Sequence, residues 1–304
     1  MARVVFLGTP EAAVPTLEQL HRQHELSLVV TQPDRPKGRS KRPVPPPVKV
    51  AAAKLGLDIA QPESRAGLAT TVGDHGPFDV GVVVAYGRII RPEVLALPEH
   101  GMLNVHFSLL PRWRGAAPVA RAIMAGDPMT GVTLLKLDEG LDTGPVLTAQ
   151  AVDILEGETG GELTARLADL GARLLSDVIG QYLDGALQPV SQTDEGLTYA
   201  DKITAEDRPI SVDAEVATVI DQVRGLAPSP AATLAIDGQP HKILGVRAAA
   251  THPEPGTWVE VDGAPIIGLA DGGLEITELQ PSGKSPQMGD DWVRGRRRDG
   301  GRVG

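Results

Sequence analysis

Cysteine is absent from all 304 residues, which excludes disulfides, thiolate nucleophiles and cysteine-ligated metal. Aromatic residues are nearly as scarce, at 3%, so the cores must be aliphatic, built from Val, Leu, Ile and Ala. No apolar run approaches the roughly 20 residues of a membrane-spanning helix. The run Val4–Leu7, closed by Gly8 and Pro10, is too short for a secretory signal, and a soluble, cytoplasmic protein is expected. Gly8 has no partners at the GxGxxG spacing, so a dinucleotide grip is not expected. There is also no GxSxG elbow. With no cysteine to join a histidine–aspartate pair, a metal is not expected. A net charge of −10 speaks against indiscriminate nucleic-acid binding, although such a sum averages over local patches.

The chain is long enough for about two domains of roughly 150 residues. Arg3–Leu7 reads as a buried strand, Glu11–Arg22 as a helix and Leu26–Thr31 as a second strand. This βαβ opening predicts a parallel, doubly wound sheet. Helices are expected over 48–55, 64–74, 117–124 and 159–183, and strands over 78–84, 102–106, 130–137 and 146–154. Past Gly185 the composition turns polar and aperiodic. A helix over 214–225 and short strands at 232–236, 242–247, 257–261, 266–270 and 274–280 follow, separated by Asp-Gly and Pro-Gly turns. They suggest a small barrel or sandwich. The expected division is a catalytic domain over 1–187, a linker over 188–208 and a C-terminal β-domain over 209–304.

The stretch around Asn104 concentrates the chemistry. Side chains two apart on a strand share a face, so Asn104 and His106 project together while Leu103, Val105 and Phe107 face a core. The strand then runs into Pro111-Arg112-Trp113-Arg114-Gly115. Ligands of open α/β sheets bind at such carboxyl ends. Asp142 lies in a second loop of this kind, between Gly140 and Gly144. Each residue also has a structural explanation: a hydrogen-bonded strand histidine, a turn asparagine, an Asx-turn aspartate. Together they fit an oxyanion stabiliser for acyl transfer, with an amide, an imidazole able to carry a proton and a carboxylate to orient it. With no nucleophile at hand, direct transfer to an incoming acceptor is expected. The other histidines (His21, His24, His75, His100, His241 and His252) read as surface.

Between Asp34 and Arg42 five basic residues (Arg35, Lys37, Arg39, Lys41 and Arg42) face one acid. A cationic cluster on an acidic protein attracts polyanions, and a solvated flexible loop is the plainer alternative. Arg294-Gly295-Arg296-Arg297-Arg298 forms a second basic cluster.

These motifs resemble the 10-formyltetrahydrofolate-dependent formyltransferases. The resemblance rests on Asn104-x-His106-x-Ser108-Leu109-Leu110-Pro111, on Arg112-Trp113-Arg114-Gly115-Ala116-Ala117-Pro118 and on Leu141-Asp142-Thr143-Gly144. Gln32-Pro33-Asp34-Arg35-Pro36, Val83-Val84-Ala85-Tyr86-Gly87 and Gln280-Pro281-x-Gly283-Lys284 match as well, so it spans nearly the whole chain. Within the family it is similar to the branch whose acceptor is methionyl initiator tRNA. The resemblance implies a Rossmann-like N-terminal domain with a mostly parallel sheet, a linker, a C-terminal barrel of the OB type, and catalytic roles for Asn104, His106 and Asp142. It further implies a folate pocket lined by Ser108, Leu109, Leu110 and Pro111, and a tRNA-contacting loop carrying Arg35, Lys37, Arg39, Lys41 and Arg42. The implied co-substrate is 10-formyltetrahydrofolate with no metal, and a monomer without membrane contact is expected. Phe107 stands where many relatives would carry glycine, and it either narrows the pocket or packs inward. Aromatic residues that the family often carries near 208–212 and 227–230 are missing. The alternatives are a formyltransferase acting on a nucleotide-sugar amine, a 10-formyltetrahydrofolate hydrolase and a non-catalytic RNA-binding protein.

Overall fold

In the computed structural model of the chain, which describes residues 1–36, 42–296 and 299–304, every residue of Val80–Val84 is buried. A central strand covered on both faces has this apolar run. Contacts divide the chain into two units. The first comprises Met1–Gly115, Thr130–Val152 and Thr164–Tyr199; the second comprises Ala116–Met129, Asp153–Leu163 and Ala200–Gly304.

In chain order the elements are β1 (Arg3–Gly8), α1 (Val14–Gln23), β2 (Glu25–Val30), β3 (Arg35–Pro36), β4 (Pro43–Val44), α2 (Pro47–Lys54), β5 (Ile59–Ala60), α3 (Arg65–His75), β6 (Val80–Val84), α4 (Pro92–Leu95), β7 (Met102–His106), β8 (Arg114–Gly115), α5 (Pro118–Met124), β9 (Met129–Lys136), β10 (Val146–Asp153), α6 (Gly160–Leu183) and β11 (Tyr199–Ala200). After these come α7 (Val216–Leu226), β12 (Ala232–Ile236), β13 (Gln239–Ala249), β14 (Thr257–Val261), β15 (Ala264–Gly268), β16 (Gly273–Pro281), β17 (Gln287–Met288), α8 (Gly289–Arg294) and β18 (Gly300–Arg302).

The first unit's sheet has the order β10-β9-β7-β6-β1-β2-β5. Strands β5, β2, β1, β6 and β7 run parallel, and β9 is antiparallel to β7. The chain builds outward from β1 to β2 and β5, then resumes on the other side of β1 with β6. That reversal is a topological switch point, where such sheets open a crevice at the strands' carboxyl ends. Local sterics make the turn out of β1. A Cβ on Gly8 would lie 2.7 Å from the Phe6 ring and 2.9 Å from Ala13. Gly171 of α6 does the same work beneath β7, since a Cβ there would sit 2.5 Å from Val105 Cγ1. Phe107 is buried and points to this same helix, 3.8 Å from that position. It therefore packs inward.

The second unit's sheet runs β12-β13-β16-β15-β14-β18, with β17 paired to β16. Val303 bridges back to Ile236, and the Asp237 N–H donates to the Arg302 carbonyl. The antiparallel sheet thus closes on itself, leaving little free edge. Strand β13 extends beyond the expected 242–247 because it pairs with both β12 and β16, its register shifting around Gly245. A bulge of this kind bends a strand around a barrel. Two hairpins turn on Asp237-Gly238 and Asp262-Gly263, all four residues at positive φ, as Asp-Gly hairpin loops require. The core holds Trp258, Trp292, Ile267, Leu274, Ile276 and Leu279, with Val219, Val223 and Leu226 of α7.

Two surface assignments need correction. His241 is buried because both ring nitrogens are used. Nδ1 donates to the Gln239 carbonyl at 2.7 Å, and Nε2 accepts from the Trp292 indole at 3.3 Å. Burial holds its pKa below the usual histidine value. The basic tail is partly neutralised: Arg294 bonds Asp290 and Asp291, and Arg296 pairs with Asp237. Arg297 and Arg298 lie outside the described residues.

Arg121 of α5 reaches Asp207 through two bonds of 2.7 and 2.9 Å, and the Thr204 N–H adds a third at 2.8 Å. The Arg121 bonds, then Thr204, hold the Asp207 carboxyl below its usual pKa. A depressed pKa contributes stability above the unfolded value of about 3.9. That contribution is lost as pH falls through the lower folded value. Asp207→Asn should therefore cost about 1 kcal/mol at neutral pH. In denaturant titrations the difference from wild type should shrink below about pH 4 and vanish once the folded carboxyl protonates.

Candidate active site

Strand β7 presents Asn104 and His106 on one face. Asn104 pairs in register with Val83 and Leu135, and His106 sits opposite Thr133. Asp142 arrives from the loop between β9 and β10. Asn104 Nδ2 lies 3.4 Å from Asp142 Oδ1, and His106 Nδ1 lies 3.6 Å from Oδ2. The Gly115 N–H donates to Oδ2 at 2.9 Å. The structure thus brings the three sequence-predicted residues together.

The turn that Asp142 could have organised is organised by Asp138. Its Oδ1 accepts from the Gly140 N–H at 3.0 Å and from Thr143 Oγ1 at 2.7 Å. Glycine is required in this loop because a Cβ on Gly144 would fall 1.8 Å from the Lys136 carbonyl oxygen. The Asp142 carboxylate is left free to face Asn104 and His106.

His106 is buried, with 5% of its side chain exposed. Its Nε2 lies 2.9 Å from the Trp113 carbonyl oxygen, which can only accept, so Nε2 carries a hydrogen. The second nitrogen, Nδ1, faces the carboxylate at a distance too long for a hydrogen bond. When Nδ1 is protonated the contact becomes an ion pair and the ring gains a donor on the Asn104 side. Nδ1 is thus the ring nitrogen left facing Asp142 and the Asn104 side.

Backbone strain gathers around this rim. Ala85 (φ 45°), Trp113 (φ 64°) and Asp142 (φ 53°) all adopt left-handed conformations without being glycine. Such residues persist where the surroundings over-determine them, often at functional sites. Nearby, the Tyr86 carbonyl accepts from Thr9 Oγ1 and Gln32 Nε2, tying the carboxyl ends of β1, β2 and β6 together.

The segment after β7 is held from β9. Thr133 Oγ1 donates to the Ser108 carbonyl and accepts from the Leu110 N–H. Ser108 is fully buried, with its hydroxyl donating to the Arg112 carbonyl at 2.6 Å. It shapes the turn, whereas Leu109, Leu110 and Pro111 are half-buried. Ile89, past β6, and Leu141, beside Asp142, are exposed and offer apolar surface.

A cleft of about 1000 Å³ opens at the switch point, with Thr9, Gln32, Arg35, Val50, Gly87 and Arg88 in its walls. Arg35 and Arg42 of the basic loop are exposed; Lys37, Arg39 and Lys41 lie outside the described residues. The loop leaves and re-enters through the short β3–β4 ladder. At its root Asp34 accepts from Lys49 at 2.8 Å and Gln61 at 2.7 Å. Among the described residues no group of three or more His, Cys, Asp or Glu could hold a metal.

Sequence reasoning missed Gln192. Its Nε2 donates to the carbonyls of Asp142 and Gly144, both at 2.8 Å. Its Oε1 accepts from Arg114 Nε at 3.1 Å and Nη2 at 2.7 Å. No local pattern marks this residue, because its partners lie about 50 and 80 residues away.

Residues 2–179 match the formyl transferase family model, and residues 202–297 match the formyl transferase C-terminal domain. The chain belongs to the formyl transferase family. It is 47% identical to the methionyl-tRNA formyltransferase of Halorhodospira halophila, covering 97% of each chain. It is 42% identical to that of Cereibacter sphaeroides, covering 96% of each. The structure of HypX from Aquifex aeolicus in complex with tetrahydrofolic acid shares the fold, with a TM-score of 0.68 and 18% identity, over 96% of this chain and 47% of that one.

Proposed function

We infer that this member of the formyl transferase family moves the formyl group of 10-formyltetrahydrofolate onto the free α-amino group of methionyl initiator tRNA. The observation that carries this reading is the 47% identity to a methionyl-tRNA formyltransferase along 97% of both chains. The meeting of Asn104, His106 and Asp142 on one rim supports it chemically.

The formyl donor supplies an activated acyl carbon, and the amine attacks it directly through a tetrahedral intermediate. Asn104 Nδ2 and protonated His106 Nδ1 donate to the oxygen on which charge collects. Asp142 holds the imidazole and helps move the amine's surplus proton toward the leaving nitrogen. The Ser108–Pro111 turn, with the apolar surface of Leu141 and Ile89, lines the pterin side. The acceptor end enters along the switch-point cleft, where Arg35 and Arg88 meet phosphate. The basic loop, with Arg39, lies against the tRNA, and the C-terminal barrel over 209–304 adds further contact.

Labelled formyl transfer tests this reading with four acceptors: methionyl initiator tRNA, methionyl elongator tRNA, a nucleotide-sugar amine and none. Initiator-selective transfer is expected. Preference for the amino sugar would overturn the acceptor, and formate release without acceptor would identify a hydrolase. tRNA binding should also weaken steeply with salt, because phosphate contacts release counterions. Arg39→Ala should lower that log–log slope by about 1 and leave the KM for the formyl donor unchanged. Equal damage to donor and acceptor use would contradict a tRNA-facing loop.

A further inference from the structure

We propose that Gln192 is a positioning residue for formyl transfer, its amide holding the Asp142 loop to Arg114 so that the carboxylate faces Asn104 and His106. This rests on the catalytic reading of those three residues.

A glutamine amide offers two donor hydrogens and an oxygen that can accept twice, and all four are used here. The two N–H donors go to the carbonyls of Asp142 and Gly144, which straddle the loop at the catalytic carboxylate. The oxygen takes two bonds from Arg114, which is 5% exposed and precedes the Gly115 N–H bonded to Asp142 Oδ2. Asp142 is therefore fixed twice: at its carboxylate by Gly115, and at its backbone through Gln192 and Arg114. It needs this restraint because its φ of 53° is one that non-glycine residues seldom keep unaided. Gln192 is half-buried. The neutral amide matters too: it satisfies Arg114 without a second carboxylate beside Asp142. The chain around it is held as well. Val190 pairs with Val146, and Thr198 bonds the backbone N–H groups of Trp113 and Arg114.

The test compares Gln192→Ala and Gln192→Glu with wild type and His106→Ala, using saturating labelled donor and methionyl initiator tRNA. Gln192→Glu keeps the acceptor for Arg114 but loses both donors and sets a carboxylate against two carbonyl oxygens. Both Gln192 variants should lower kcat about 10- to 100-fold, the usual effect of displacing a reacting group by about 1 Å. The KM for the formyl donor should stay within about threefold of wild type in both, and the unfolding midpoint should stay close to wild type in Gln192→Glu, which still pairs with Arg114. Wild-type kcat in Gln192→Glu, or a loss confined to KM and stability, would overturn the proposal. Undiminished turnover in His106→Ala would instead overturn the catalytic reading on which it rests.

Discussion

Replacing His106 by alanine is expected to lower kcat by about two to three orders of magnitude, the usual effect of deleting one oxyanion donor. The KM for the formyl donor should change little, because the ring reaches full strength as a donor only as charge develops. The geometry makes this specific. One ring nitrogen is committed to the Trp113 carbonyl, so the imidazole cannot tumble, and only Nδ1 remains for the reacting atoms. His106→Asn retains a neutral donor but has no basic nitrogen that could become a cationic one. It should recover part of the loss, and steady-state rates with both substrates saturating would show it. A rate within threefold of wild type for His106→Ala would remove the residue from the chemistry.

The second large effect is on stability. Trp258 is 1% exposed and lies at the centre of the barrel, its ring edge-on to Trp292 at 5.2 Å between centroids. Its indole N–H points to both oxygens of Asp237 at 3.3 Å. Arg296 pairs with that carboxylate and lies 3.9 Å above the Trp292 ring. Burial acts to raise the Asp237 pKa, but the Arg302 N–H, Trp258 and Arg296 together hold it below the usual range. Trp258→Ala leaves a cavity and removes a hydrogen-bond donor from this half-buried ion pair, and should cost about 3–5 kcal/mol. That is a large part of a typical domain's stability. Two of the chain's three tryptophans lie in this barrel, so fluorescence during urea unfolding of Trp292 in the variant reports it directly. A cost below about 1 kcal/mol would mean that the barrel does not depend on this ring.

Much of this was legible in the sequence, for identifiable reasons. Val80–Val84 declared itself by unbroken apolarity, and Asn104 and His106 by the two-residue period of a strand. The Asp-Gly pairs marked hairpins because few other dipeptides tolerate positive φ twice. Asp142 could be suspected, but the side chain freeing it from turn duty, Asp138, became visible only with the loop folded. Gln192 and His241 were illegible for a common reason. Each is defined by partners brought close by tertiary structure, and the alternation of His241 with Lys242 and Ile243 along β13 does not reveal the Trp292 indole that meets its ring. The tail's charge misled similarly, since a sum over Arg294 and Arg296 cannot register that Asp290, Asp291 and Asp237 face them.

Direct transfer is the central claim, and single-turnover labelling tests it most directly. Enzyme in excess over labelled 10-formyltetrahydrofolate is mixed with methionyl initiator tRNA, and aliquots are quenched and separated into protein, tRNA and formate. Label is expected to pass from folate to the methionyl amine in near-equal yield, with none on protein and none as formate. Label trapped on protein, or formate formed at the same rate without tRNA, would contradict an amine attacking the donor at the Asn104–His106–Asp142 rim.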